Sequence, residues 1–171
     1  NMASVYGQTE TCGIVTSTHF DDSLEVKAET IGRGLEGVEL RVVRPDGEDV
    51  DTEETGELLV RAPFVMSGYF NRPDATREAF TKEGYLRTGD LCKRRSDGNI
   101  EFVGRIKEMF KSGGYNIYPM EIEQAICEHP SVLMAAVLSI PDEKFQEVGY
   151  AFVAAVPGDE ILPEELKVFL S

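Results

Sequence analysis

Turn signals recur at short intervals from residue 38 to residue 104, and the apolar runs between them are long enough only for strands. Residues 38–44 alternate Val38, Leu40 and Val42 against Glu39, Arg41 and Val43, the period of a half-buried strand. Pro45-Asp46-Gly47 turns the chain, and residues 57–62 form the next strand. Asp97-Gly98 joins residues 91–94 to residues 100–103 as a hairpin. One short helix interrupts the series. It opens at Asn71-Arg72-Pro73-Asp74, with Asn71 or Asp74 near its cap, and runs to Phe80.

After Gly104 the pattern changes. Residues 115–118 form a short strand, and Pro119 starts a helix that turns Ile122, Ala125 and Ile126 to one face and ends at His129-Pro130. Residues 132–140 and 148–156 are rich in β-branched and small apolar side chains and are expected as buried strands. Pro163 begins a further helix with Leu166, Phe169 and Leu170 facing inward, cut short at Ser171. The fold class is therefore mixed α+β, with a β-rich unit first and a small α+β unit second.

Composition narrows the function classes. The chain of 171 residues is 42% hydrophobic and 28% charged, enough for a core and a charged surface. No apolar run approaches the ~18 residues of a membrane span, and no signal peptide precedes the motif at Tyr6. A net charge of −14 argues against a nucleic-acid partner, which needs a basic face. Much of the acid lies in residues 46–54, a solvated loop without EF-hand spacing. Cys12, Cys92 and Cys127 are too few and too scattered for a disulfide framework or a zinc site, fit a reducing, cytoplasmic setting, and are each read as buried apolar filler. His19 and His129 are solitary and are read as surface or capping residues. Phe64, Tyr69, Phe70 and Phe80 are read as core.

Three segments carry chemistry. Residues 104–119 hold Arg105, Lys107 and Lys111 before Gly113-Gly114, a basic cluster on a pliable backbone that by itself points to a phosphate. Tyr6-Gly7-Gln8-Thr9-Glu10 combines a ring for stacking, a glycine for close approach, a hydroxyl for an oxyanion and a carboxylate for Mg2+. Leu86-Arg87-Thr88-Gly89-Asp90 sets a carboxylate after a glycine at a strand end, as a ribose diol requires. Each segment alone is also compatible with an ordinary turn.

Their order and spacing are more specific. Tyr6-Gly7-Gln8-Thr9-Glu10 is followed by Gly56-Glu57-Leu58, then by Gly68-Tyr69-Phe70-Asn71 with Thr76 and Phe80. Thr88-Gly89-Asp90 and Gly104-Arg105-Ile106-Lys107 come next. The last is Lys111-Ser112-Gly113-Gly114-Tyr115-Asn116-Ile117-Tyr118-Pro119 with Glu121 and Glu123. The series resembles the adenylate-forming (AMP-binding) superfamily of acyl-CoA synthetases, peptide-synthetase adenylation domains and beetle luciferases, over essentially the whole chain.

The resemblance implies a distorted, barrel-like β subdomain closing a large domain (residues 1–104), and part of a small mobile domain (residues 105–171) hinged at Lys107. It implies that Tyr6 lies against adenine, Gly7 lines the acyl pocket through its backbone, Thr9 contacts the phosphate or adenylate and Glu10 ligates Mg2+. Asp90 would hold the ribose hydroxyls with Arg105. Gly113 and Gly114 would enter the site and border the pantetheine tunnel when the small domain swings, and Lys111 and Asn116 would face the site. The implied reaction joins a carboxylic acid to ATP as an acyl-adenylate and passes the acyl group to coenzyme A, as in fatty acid metabolism.

Lys107, where peptide-synthetase domains usually carry Asp, and the run 112–123 resemble the acyl-CoA synthetase branch. The family's phosphate loop and terminal catalytic lysine are absent, and Lys167 lacks the motif of the latter. The chain is accordingly expected to be a fragment of a longer protein, inactive alone. The alternatives are a ligase that loads a carrier protein and a non-catalytic module that keeps the fold.

Overall fold

The computed structural model describes residues 2–170. Asn1 and Ser171, where the sequence reading sees a severed start and a shortened helix, lie outside the described residues. The chain divides into two compact units, the first ending at Ile106 and the second starting at Lys107.

The first unit opens with a hairpin of β1 (Val5–Gln8) and β2 (Gly13–Ser17). Helix α1 (Leu24–Glu29) follows, its first turn closed by the Ser23 side chain accepting from the Val26 N–H at 3.2 Å. The short strand β3 (Arg33–Gly34) then pairs with the end of β2. No element is expected from the sequence between residues 2 and 37. The strands here are short, contain Gly7 and Gly13 and are half-exposed, so no period stands out.

A four-stranded antiparallel sheet follows, in the order β4 (Glu39–Val43), β5 (Thr55–Arg61), β6 (Leu86–Arg94), β7 (Ile100–Arg105). Helix α2 (Pro73–Ala79) lies between β5 and β6 in the chain. Its N-cap is Arg72, with no side-chain cap bond, and Asn71 and Asp74 flank it as expected. Asn71 stands one residue earlier with φ 54°, in the left-handed region that turns the chain into the helix. The expected Asp97-Gly98 hairpin is present, and Asp97 Oδ1 accepts from the Asn99 N–H at 2.9 Å.

The core joins the two sheets. Val15 of β2 packs with Val42, Leu58, Val60, Cys92 and Ile100. Val43, Leu59 and Tyr85 form a smaller cluster, so Val42 and Val43 are both buried and β4 is covered on both faces at this end. An isolated bridge between Gly32 and Ile100 links the sheets, and no barrel closes among the described residues. The acidic loop is clamped as well as solvated: Arg41 meets Asp49 at 2.9 Å, and Arg44 reaches Glu54 and, at 3.3 Å, Asp51.

In the second unit β8 (Phe110–Ser112) and β9 (Tyr115–Ile117) form a tight hairpin, followed by α3 (Pro119–Cys127), β10 (Val132–Asp142), β11 (Gln146–Ala155) and α4 (Pro163–Phe169). The sheet order is β10-β11-β8-β9. Ile126 of α3 packs on Phe110, Val132 and Val137, with Ile122 and Leu166 beside them. The long strands are not buried throughout, as their composition led one to expect. Helices cover the Val137 face, whereas Leu138 is 59% and Phe152 56% exposed on the other. Phe169 and Leu170 are likewise exposed, the former resting edge-on against His129 at 5.1 Å. His129 Nδ1 accepts from the Ser131 N–H at 3.3 Å, in the turn between α3 and β10.

Candidate functional site

Asp90 is the centre of the site in the first unit, and a bulge in β6 puts it there. Leu59 pairs with Arg87 and Glu57 with Leu91, so Thr88, Gly89 and Asp90 together oppose Leu58 alone. The Thr88 hydroxyl donates to the Leu58 carbonyl at 2.7 Å, replacing the ladder bond that the bulge removes. Thr88-Gly89-Asp90 therefore sits inside a strand of nine residues and not at a strand end. The bulge supplies the irregularity that the sequence reading ascribed to a terminus.

Asp90 is 2% exposed, and a buried carboxylate needs partners. Tyr6 donates its hydroxyl to Oδ2 at 2.6 Å. Gln8 donates from Nε2 to the same oxygen at 2.8 Å and to the Thr88 carbonyl at 3.0 Å. Arg105, the cross-strand partner of Asp90 on β7, brings Nε within 3.3 Å of Oδ1. Burial and the neighbouring carboxylate push the Tyr6 phenol well above its ordinary value, so it stays a donor. The structure thus brings Tyr6, Asp90 and Arg105 together. Gln8 is the member that sequence reasoning missed. It lies two residues from Tyr6 on a strand, and the period of two that puts both on one face was the available signal.

Gly7 lies between them, with its backbone against β2. An added Cβ would stand 2.1 Å from the Gly13 carbonyl oxygen, so the hairpin itself requires glycine. Thr9 and Glu10 fall in the turn that joins β1 to β2. Thr9 is exposed, and the buried Thr11 holds the turn, its hydroxyl accepting from the Gln8 N–H at 2.8 Å. Glu10 Oε1 accepts from the Tyr69 hydroxyl at 2.9 Å, which raises the Tyr69 phenol. Tyr69 is 40% exposed and Phe70 91%, so neither belongs to the core as expected.

Among the described residues no three His, Cys, Asp or Glu side chains gather as a metal cage. A single carboxylate at Glu10 fits Mg2+ nonetheless, because that ion keeps several waters and is usually held by one or two carboxylates with substrate phosphates.

The remaining candidates lie in the second unit. Lys107 is exposed in the turn that opens it. Lys111 and Asn116 pair across the β8–β9 hairpin, and Gly113 and Gly114 are its two-residue turn, with φ 57° and 89°. Positive φ at both central positions is what a type I′ turn needs. The Gly113 N–H donates to the Phe145 carbonyl at 3.0 Å, and the Lys111 N–H reaches Glu147 Oε2 at 3.4 Å. Arg105 is engaged by Asp90, so residues 104–119 do not form the single basic cluster for an anion that their composition alone suggested.

Among the described residues no helix is long and apolar enough to cross a membrane. Comparison with known proteins agrees with the motifs. Residues 1–70 match the family model described as AMP-binding enzyme, and residues 121–171 match that of the AMP-binding enzyme C-terminal domain. YngI of Bacillus subtilis (strain 168) is 41% identical over 170 residues, 99% of this chain and 31% of YngI. The indoleacetate–CoA ligase of Aromatoleum aromaticum is 41% identical over 157 residues, 92% of this chain and 30% of that enzyme. The ATP-bound crystal structure of MatB from Rhodopseudomonas palustris superimposes with a TM-score of 0.91 at 34% identity, covering 98% of this chain and 33% of MatB. The chain thus spans about 30% of the length of the curated relatives it matches. Two family models at the two ends of one chain, and relatives aligned across nearly all of it, make this chain a member of the AMP-binding enzyme family.

Proposed function

We propose that the chain is part of a cytoplasmic AMP-forming acyl-CoA synthetase, which activates a carboxylic acid with ATP and transfers the acyl group to coenzyme A. The observation that carries this reading is the buried Asp90 carboxylate with Tyr6, Gln8 and Arg105 converging on it. Two donors saturate Oδ2, whereas among the described residues Oδ1 has Arg105 alone and retains acceptor capacity. A ribose hydroxyl donating to Oδ1 has to shift the Arg105 guanidinium, whose side chain is 60% exposed and able to move.

Around that anchor, Tyr6 lies against adenine, the Gly7 backbone borders the acyl group and Thr9 donates to a phosphate oxygen. Glu10 would hold a magnesium ion, whose chemistry there would be neutralisation of phosphate charge; the substrate carboxylate attacks the α-phosphorus and pyrophosphate leaves. Lys107 is the hinge of a small domain beginning near residue 105. The β8–β9 turn at Gly113 and Gly114, with Lys111 and Asn116 on its strands, is the wall that the moving domain brings to the pantetheine arm for thiolysis. The two half-reactions need different neighbours about one adenylate, and a pivot supplies them in turn.

The test uses the complete protein, with ATP, Mg2+, coenzyme A and a panel of short-, medium- and long-chain and aromatic acids. Thioester and AMP are expected from at least one acid, with loss of turnover in Asp90→Ala. Adenylate without thioester, together with acylation of a carrier protein, replaces this reading with that of a carrier-loading ligase. Nucleotide binding without turnover of any acid indicates a non-catalytic module. The chain of 171 residues alone is expected to release no pyrophosphate.

A further inference from the structure

Gly68-Tyr69-Phe70-Asn71 and Thr76 recur in the sequence pattern without a task in the chemistry above, and the structure links them to Glu10. Tyr69 lies 59 residues from Glu10 in the chain, yet its hydroxyl donates to Glu10 Oε1 at 2.9 Å. The Met66 N–H also donates to the Glu10 carbonyl at 2.9 Å, so the loop grips this residue by backbone and side chain. Tyr69 is itself held. Its N–H donates to Thr76 Oγ1 at 2.8 Å, and the same hydroxyl donates to the Arg72 carbonyl at 2.9 Å. Thr76 belongs to α2, so the helix fixes the loop that carries Tyr69. Gly68 permits this contact: an added Cβ would stand 2.5 Å from Thr76 Cγ2.

We propose that Tyr69 is a positioning residue for Glu10, set by the Thr76 hydroxyl, that orients the carboxylate so that Oε2 faces a phosphate-bound divalent cation. The proposal rests on the reading of Glu10 as the cation's carboxylate. A carboxylate on a turn is otherwise free to rotate, and a hydrogen bond to one oxygen leaves the other a defined direction. Outer partners of this kind typically alter metal affinity about tenfold or more. The exposed phenol position of Tyr69 thereby has a task that core packing does not explain.

The experiment measures Mn2+ binding to the complete protein by electron paramagnetic resonance, in the presence of a non-hydrolysable ATP analogue. Tyr69→Phe is expected to weaken Mn2+ binding about tenfold, to broaden the spectrum of bound Mn2+, and to leave metal-free AMP affinity and the thermal midpoint unchanged. Thr76→Val is expected to follow Tyr69→Phe, and Thr76→Ser, which keeps the hydroxyl, to bind as the parent does. Glu10→Gln serves as the reference. Parental Mn2+ binding in Tyr69→Phe with weakened binding in Glu10→Gln overturns the positioning role and leaves the reading of Glu10 intact. Parental binding in Glu10→Gln overturns both. Where Tyr69→Phe lowers the thermal midpoint, the contrast between Thr76→Val and Thr76→Ser decides on the same signal, and its absence overturns the proposal.

Discussion

Tyr6 donates its hydroxyl to Asp90 Oδ2 at 2.6 Å across 84 residues of chain, tying the first hairpin to the bulge of the central sheet. The pair sits where two sheets meet, and neither partner is well solvated. Tyr6→Phe removes the donor and leaves the buried carboxylate with Gln8 and Arg105. We expect a loss of about 1–3 kcal/mol of stability in the first unit, measured by urea denaturation followed by circular dichroism.

Because burial and Asp90 raise the Tyr6 phenol above its ordinary 10.0, the folded state holds this proton where the unfolded chain releases it. The contribution is fully present below about pH 10 and declines as the pH rises further. Absorbance at 295 nm should show the Tyr6 proton leaving together with unfolding. In Tyr6→Phe the alkaline loss of stability should be shallower.

At acid pH the same linkage runs the other way. The Arg61 guanidinium, and then the Tyr85 hydroxyl at 2.9 Å, hold Glu39 below its ordinary 4.5. That stabilisation is complete above pH 4.5 and fades as the pH falls through the lowered value. Glu39→Gln is expected to flatten the acid limb of the thermal midpoint against pH, with little change at neutrality because the pair is exposed.

The three cysteines are unbonded and differ in access. Burial pushes the Cys92 thiol far up and hides it, whereas Cys12 and Cys127 are exposed and not the buried filler their sequence setting suggests. With Ellman's reagent at pH 8, two thiols should react quickly and the third only after denaturation. Cys92→Ser should slow nothing in the fast phase and should lower stability by about 1–3 kcal/mol, as a hydroxyl enters an apolar core.

Gly7→Ala should destabilise the first unit by about 3 kcal/mol, since a methyl group at 2.1 Å from the Gly13 carbonyl forces the β1–β2 hairpin apart. Gly13→Ala meets no atom within 4 Å, but Gly13 has φ 148°, so its smaller loss isolates backbone strain from collision. Thermal denaturation of the two variants separates the effects.

Much of the fold is local and was legible for that reason. Pro119 and Pro163 mark the helix starts they were expected to mark. Asp97-Gly98 makes its hairpin, and the alternation around Leu40 and Val42 yields a strand. The misses have a common cause. Leu138 and Phe152 have the composition of a buried strand, but the number of covered faces depends on neighbouring elements, not on the strand. Tyr69 reads as core from sequence because an aromatic ring between turn residues does not reveal that its hydroxyl meets Glu10.

By itself the sequence determined the family, the mixed α+β class and the list of chemically capable residues, because motif order and turn chemistry are written in neighbouring positions. Tertiary structure alone decided the convergence of Tyr6, Gln8 and Arg105 on Asp90, since a bulge in β6 and the Asp90–Arg105 register are properties of strand pairing. It likewise decided the reach of Tyr69 to Glu10, which depends on Thr76 in α2 holding a loop 59 residues from its target. Hydrogen bonds between distant segments have no period, and only the packed sheets bring their partners within 3 Å.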